Sequence, residues 1–183
     1  MALDLPERER AELAAWRDEL IAGRGDLRPV KEEALHVTLA FLGWRPQKEI
    51  AAIAASIQAA YDERADSHAF RRTRFVPREV VSVPPQRARL FALDLEDVGG
   101  HGAELQQAVS DALEAGRFYK PEKRPFWPHV TLARVKRNLR AEPLPPDPPP
   151  VGAFKAAQVT LYRSTLRPQG AEYESLAEWR LPE

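Results

Sequence analysis

The sequence predicts an α+β domain of antiparallel sheets with helices outside, built as two pseudo-symmetric lobes. Three observations carry that expectation. Short β-prone runs alternate with three stripes of helical periodicity. The tetrapeptide His-Val-Thr-Leu occurs twice, at His36 to Leu39 and at His129 to Leu132, and takes two of the four histidines. Ala2-Leu3-Asp4-Leu5 returns as Ala92-Leu93-Asp94-Leu95 at nearly the same offset, so a whole unit rather than one tetrapeptide is duplicated. Two copies argue for a bilobal domain rather than a solenoid. With 183 residues and 44% hydrophobic content, the chain can bury one substantial core, and residues 1–183 read as a single domain.

Ala2 to Leu5 reads as a short strand. Pro6 stands near a helix start, and Leu13, Trp16 and Leu20 form the apolar stripe of the helix that follows. A loop with Gly23 and Gly25 leads to a strand over His36 to Leu42, ended by Gly43. Helical spacing resumes at Ile50, Ile53, Ile57 and Tyr61 behind Pro46, and is read as ordinary core. Phe70 to Val83 is β-prone and carries Arg71, Arg72, Arg74 and Arg78; a solvated strand face is the plain reading, and an electrostatic rim for a phosphate-bearing substrate the functional one. Pro84-Pro85 leads into a strand over Arg89 to Leu95. Gly99, Gly100 and Gly102 precede a third helix with Leu105, Val109 and Leu113, ended by Gly116. The second histidine strand covers His129 to Val135. Glu142 to Pro150 holds six prolines and reads as a stiff surface connector; nothing in its flanks supports a proline-recognition partner. Phe154 to Tyr162 and Tyr173 to Leu181 are closing strands around a turn at Pro168 to Gly170.

Charge and composition narrow the function classes. The 27 basic and 27 acidic residues cancel, so no global field favours long nucleic acid, although a short anionic ligand needs only a local basic cluster. The chain has no cysteine, which removes disulfides and thiolate metal sites, and no apolar run long enough for a signal peptide or a membrane span. The expected location is the cytoplasm.

In a strand alternate side chains share a face, so His36 and Thr38 point one way while Val37 and Leu39 fill core. The same holds for His129 and Thr131 against Val130 and Leu132. Imidazole titrates near neutrality, so one ring can accept a proton from an attacking water or hydroxyl while the other protonates a leaving oxygen. Either motif alone reads best as a structural strand histidine, since strand Thr is common. Duplication at matched spacing favours the catalytic pair. Neither motif has a second His or a carboxylate at ligand spacing, so a zinc site is disfavoured. His68 and His101 lack the Thr partner and are left out of the site.

These segments resemble the two-histidine (2H) phosphoesterase superfamily, and within it the LigT-like RNA 2′,3′-cyclic phosphodiesterases, also called 2′-5′ RNA ligases. The likeness rests on Leu35 to Gly43 and Phe126 to Arg134, with support from Ala2 to Pro6, Leu161 to Ser164, Gly170 and Tyr173. It implies a LigT-like fold of two antiparallel sheets lining a central groove, and metal-independent opening of a terminal 2′,3′-cyclic phosphate to a 2′-phosphate. Formation or reversal of 2′-5′ linkages is implied as well. Carried across, His36 and His129 are the catalytic pair, Thr38 and Thr131 bind phosphate, and Arg134 neutralises it. No cofactor is implied, and the partners are RNA ends or nucleotides bearing a 2′,3′-cyclic phosphate, met by a monomer. Met1 directly precedes the segment matching Ala2, so the first strand is expected to be short. The region after Arg74 lacks the family's glycine and phenylalanine pattern, so base recognition is expected to differ. Two competing readings remain: a non-catalytic nucleotide- or RNA-binding module, and a phosphodiesterase for small cyclic nucleotides.

Overall fold

The computed structural model describes residues 1–63, 70–147, 149–167 and 170–182. His68 and two residues of the expected turn, Pro168 and Gln169, lie outside the described residues. The elements in chain order are β1 (Ala2–Asp4), α1 (Glu7–Leu20), β2 (Leu27–Pro29), β3 (His36–Thr38), α2 (Ile50–Glu63), β4 (Thr73–Val83), β5 (Leu90–Asp97), α3 (His101–Ala115), β6 (His129–Val135), β7 (Phe154–Ala156), β8 (Gln158–Arg167) and β9 (Gly170–Arg180).

Strands run β7-β4-β5-β6-β3-β1-β8-β9, all pairs antiparallel, with β2 added to β6. The two expected sheets are the halves of this ladder, β7 to β6 and β3 to β9. They are hydrogen-bonded to one another at a single register point, Val37 against Val130. Both valines are fully buried. Burying one such side chain is worth about 1.5–3 kcal/mol, so the join is held from its core side by packing as much as by the ladder.

Each helix starts where local chemistry allows it. Glu7 and Glu9 sit in the first turn of α1, where carboxylates favour the exposed amides, and Leu13 and Ala14 turn inward. Pro46 precedes a short 3₁₀ turn that feeds α2, whose Ile53 and Ile57 are buried as the spacing predicts. Asp97 caps α3, its carboxylate accepting from Gly102 N at 2.9 Å and Ala103 N at 2.8 Å. Reaching that cap requires left-handed backbone at Gly99 and Gly100, with φ of 77° and 76°. α2 packs on α3 and β9, and α3 packs on β4 and β5, so both cover the face of the sheet opposite the histidines. Among the described residues no helix is long and apolar enough to cross a membrane.

Several strand boundaries differ from the sequence reading. β5 runs to Asp97 rather than Leu95, and the single strand expected over Phe154 to Tyr162 is split into β7 and β8, with β8 reaching Arg167. β9 starts at Gly170, inside the expected turn, rather than at Tyr173. β3 stops at Thr38 rather than Leu42, because Leu39 N and Ala40 N both donate to Met1 O and bend the chain across the start of β1. β2 was not foreseen, since Pro29 inside a three-residue run reads as loop. β4 begins at Thr73 rather than Phe70, after Arg72 N has bonded Pro182 O. The proline-rich connector has no regular structure over its described residues and is anchored by buried Leu144 and Val151.

Candidate active site

β3 and β6 are antiparallel neighbours paired through Val37 and Val130. Continuing that register by one residue sets His36 across from Thr131, and Thr38 across from His129. All four side chains alternate away from the buried valines, so they share the open face of the sheet. Directly opposed side chains in such a pair lie about 4.5–5.5 Å apart at Cβ and diagonal ones roughly 7–8 Å, a spacing that lets two imidazoles bracket one phosphoryl group.

The duplicated Ala-Leu-Asp segments explain why both strands are placed alike. β1 pairs Ala2 with Thr38, Leu3 with Val37 and Asp4 with His36. β5 repeats the register, Ala92 with Thr131, Leu93 with Val130 and Asp94 with His129. Each histidine strand therefore lies between its counterpart and a strand that brings a carboxylate alongside the imidazole.

Two contiguous chambers of about 350 and 440 Å³ occupy this face, and Thr38 and Phe41 line both. His36, Thr131, Arg134, Arg28 and Lys31 line the first, a cationic pocket suited to an anion. His129, Trp127, Phe126 and Tyr119 line the second, which is aromatic. Arg134 reaches the groove because of a β-bulge. Strict alternation from His129 would send it to the core face, but the register shifts between Phe91 and Ala92, and Leu132 and Ala133 are buried in succession. The extra residue turns Arg134 back toward His129 and Thr131.

The two imidazoles have different surroundings. His36 stacks on Tyr162, with centroids 5.9 Å apart and planes at 19°, and meets the edge of Tyr173 at 5.1 Å. Its Nδ1 is buried with no hydrogen-bond partner among the described residues. Burial, followed by the positive charges of the Met1 amine, His129 and Arg134, lowers its pKa from 6.5 to about 4. His129 places Nδ1 2.9 Å from Trp127 O. A carbonyl only accepts, so Nδ1 carries the proton and Nε2 is left to work. Its ring also stacks on Trp127 with centroids 4.1 Å apart and planes at 17°.

The structure thus brings together all five residues singled out from the sequence: His36, His129, Thr38, Thr131 and Arg134. None of Arg71, Arg72, Arg74 and Arg78 lines either chamber, and Arg78 pairs instead with Glu96, as a solvated strand face requires. His101 opens α3 beside Glu104, outside the groove. Sequence reasoning gave no role to Arg28, which the unforeseen β2 carries, to Lys31 just beyond that strand, or to the rings of Trp127, Tyr162 and Tyr173.

A family model described as the 2′-5′ RNA ligase superfamily matches residues 5–166. The chain belongs to that superfamily. An RNA 2′,3′-cyclic phosphodiesterase of Aeropyrum pernix is 32% identical over 175 residues, covering 91% of this chain and 93% of the relative. One of Thermus thermophilus is 33% identical over 190 residues, covering 98% and 88%. Among solved structures, TT0787 of Thermus thermophilus superposes with a TM-score of 0.78 at 27% identity, covering 98% of this chain and 95% of that one. E. coli LigT in its apo form superposes with a TM-score of 0.72 at 23% identity, covering 100% and 95%, and shares the fold. The chain thus has the α+β LigT-like fold.

Proposed function

We propose that this 2′-5′ RNA ligase superfamily member is an RNA 2′,3′-cyclic phosphodiesterase that leaves a 2′-phosphate, working by two-histidine acid/base catalysis without a metal. The observation that carries the reading is the antiparallel pairing of the two His-Val-Thr strands, which sets each imidazole opposite the other strand's hydroxyl on one face. In-line displacement at phosphorus needs a proton acceptor on the entering side and a donor on the leaving side, and two diagonal imidazoles supply them. The names of the relatives from Aeropyrum pernix and Thermus thermophilus agree with this substrate class.

His36 is the general base. Its lowered pKa keeps it unprotonated at neutral pH, and with Nδ1 buried the groove sees Nε2. His129 is the general acid, held by Trp127 O so that Nε2 delivers the proton. Water attacks phosphorus as His36 takes its proton, the bond from phosphorus to O3′ breaks, and His129 protonates O3′. The product is a 2′-phosphomonoester beside a free 3′-hydroxyl. Thr38 and Thr131 donate to the non-bridging oxygens, and Arg134 offsets the charge that grows on them. With the 5′-hydroxyl of a second RNA in place of water, the same displacement forms a 2′-5′ linkage.

The test is to incubate the protein with an RNA oligomer ending in a 2′,3′-cyclic phosphate, with and without EDTA, and to identify the product isomer. A 2′-phosphate formed at equal rate in chelator is expected. A 3′-phosphate product, loss of turnover in EDTA, or no turnover at all overturns the reading.

A further inference from the structure

We infer that Asp4 and Asp94 are positioning residues, each gripping the aromatic ring on which one of the paired imidazoles stacks: Tyr162 beneath His36 and Trp127 beneath His129. Asp94 Oδ1 accepts from Trp127 Nε1 at 2.6 Å, and Trp127 holds His129 by ring stacking and by its own carbonyl. Asp4 Oδ1 accepts from the Tyr162 hydroxyl at 2.9 Å, while its Oδ2 accepts from Thr160 at 2.6 Å and Gln158 at 3.1 Å. Tyr162 stacks in turn on His36.

Duplication alone does not account for this likeness. The repeated Ala-Leu-Asp segment supplies only the carboxylates, in equal register beside the two histidines. The rings come from unrelated places: Tyr162 from β8, and Trp127 from the chain just before β6. A tyrosine hydroxyl in one lobe and an indole N–H in the other end at corresponding carboxylates, each with its ring nearly parallel to an imidazole. Two different sequences converging on one arrangement point to a requirement of the imidazole.

Two physical effects follow. The hydrogen bond fixes the ring and thereby the direction of the stacked imidazole, and misplacement of a reacting group is costly in rate. Drawing the indole or phenol proton toward a carboxylate also enriches the ring face in electron density, which favours an imidazolium formed above it. Tyr162 remains a donor throughout, because burial and then the Asp4 charge push its hydroxyl pKa up.

The inference rests on the proposed acid/base pair, and its test separates the two. The Asp94 side chain bonds Trp127, whereas Asp4 also holds Thr160 and Gln158, so Asp94 is the cleaner site to vary. Asp94→Ala is expected to lower kcat on the cyclic phosphate RNA by on the order of tenfold or more, with KM within about twofold. Asp94→Asn, whose amide oxygen still accepts from the indole, is expected to recover part of that loss. Trp127→Phe removes the donor, so adding Asp94→Ala to it should cost nothing further. Independently of turnover, the imidazole ¹⁵N signals of His129 should show one fixed tautomer in the wild type and averaged tautomers in Asp94→Ala, with His101 unmoved. Wild-type kcat in Asp94→Ala, losses that multiply in the double variant, or an unchanged His129 spectrum would overturn the inference. A wild-type protein inactive on cyclic phosphate defeats the proposed function alone, because the His129 spectrum still reports on the carboxylate.

Discussion

His36 lies under two tyrosines, and its burial has a consequence for stability as well as for chemistry. In the unfolded chain this imidazole takes up a proton near pH 6.5, whereas in the fold it does so near pH 4. On acidification the unfolded state therefore binds the proton first. The native state keeps the full benefit of a neutral His36 above pH 6.5 and loses it progressively as pH falls toward 4. His36→Asn is expected to flatten that part of the stability profile, measured by urea denaturation at half-unit steps of pH; an unchanged slope relative to wild type would contradict the burial of this ring. On the catalytic side, His36→Gln and His129→Gln should each lower kcat by roughly 10²–10⁴, the usual worth of a positioned acid or base. The double variant should lose far less than the product of the two, since a base without an acid already fails at the same displacement. Full multiplicativity in steady-state rates would mean that the two rings serve separate steps.

At the scale of elements, what was legible in the sequence is what periodicity encodes. β6 matches its expected span at both ends, α3 buries Leu105, Val109 and Leu113 as spaced, and α2 buries Ile53 and Ile57 while Ile50 and Tyr61 are only partly buried. The His-Val-Thr repeat located the pair because strand alternation is local, and the Ala-Leu-Asp repeat marked the strand beside each. Features set by distant backbone were not legible. The end of β3 depends on Met1 O, β2 exists only as an edge partner of β6, and the face of Arg134 depends on a bulge that alternation alone gets wrong. Tyr162 and Tyr173 lay in the closing strands, but nothing local says that a hairpin ends against His36. The bend after Thr38 also sends Phe41 outward, 78% exposed and lining both chambers. An exposed ring at that junction suits stacking by a nucleobase, worth about 1–3 kcal/mol per base. Phe41→Ala should thus raise KM for a cyclic phosphate RNA about 5- to 100-fold and leave the melting temperature nearly unchanged. Equal KM values for the two proteins would remove Phe41 from the substrate path.

For the whole molecule, the distribution of charge decides how much of an RNA is held. Net charge is zero, so no long-range field gathers polyanion over the surface. Within the groove Arg28, Lys31 and Arg134 line the chamber that holds His36 and Thr131, with Lys31 also 3.9 Å from Glu33 and 3.8 Å from Glu172. The remaining strand arginines lie outside it, and Arg78, Arg163 and Arg167 are matched with Glu96, Glu174 and Glu172. The cations of the first chamber suit a terminal phosphate and at most a neighbour, while in the second chamber Arg124 is paired with Glu122 at 3.0 Å. For single strands the slope of log affinity against log salt is about −0.7 per neutralised phosphate, so binding of a long oligomer should show a slope near −1. A dinucleotide ending in a cyclic phosphate should give nearly the same slope as a 20-mer, because the extra phosphates of the longer strand lie beyond the cations of the first chamber. Arg134→Gln should reduce the slope for both by a similar amount. Titrations from about 50 to 300 mM salt with a His36→Gln, His129→Gln protein, which binds without turnover, read this directly. A slope of about −3 or steeper that grows with RNA length would show that the strand is followed well beyond its end, by charges outside the histidine groove.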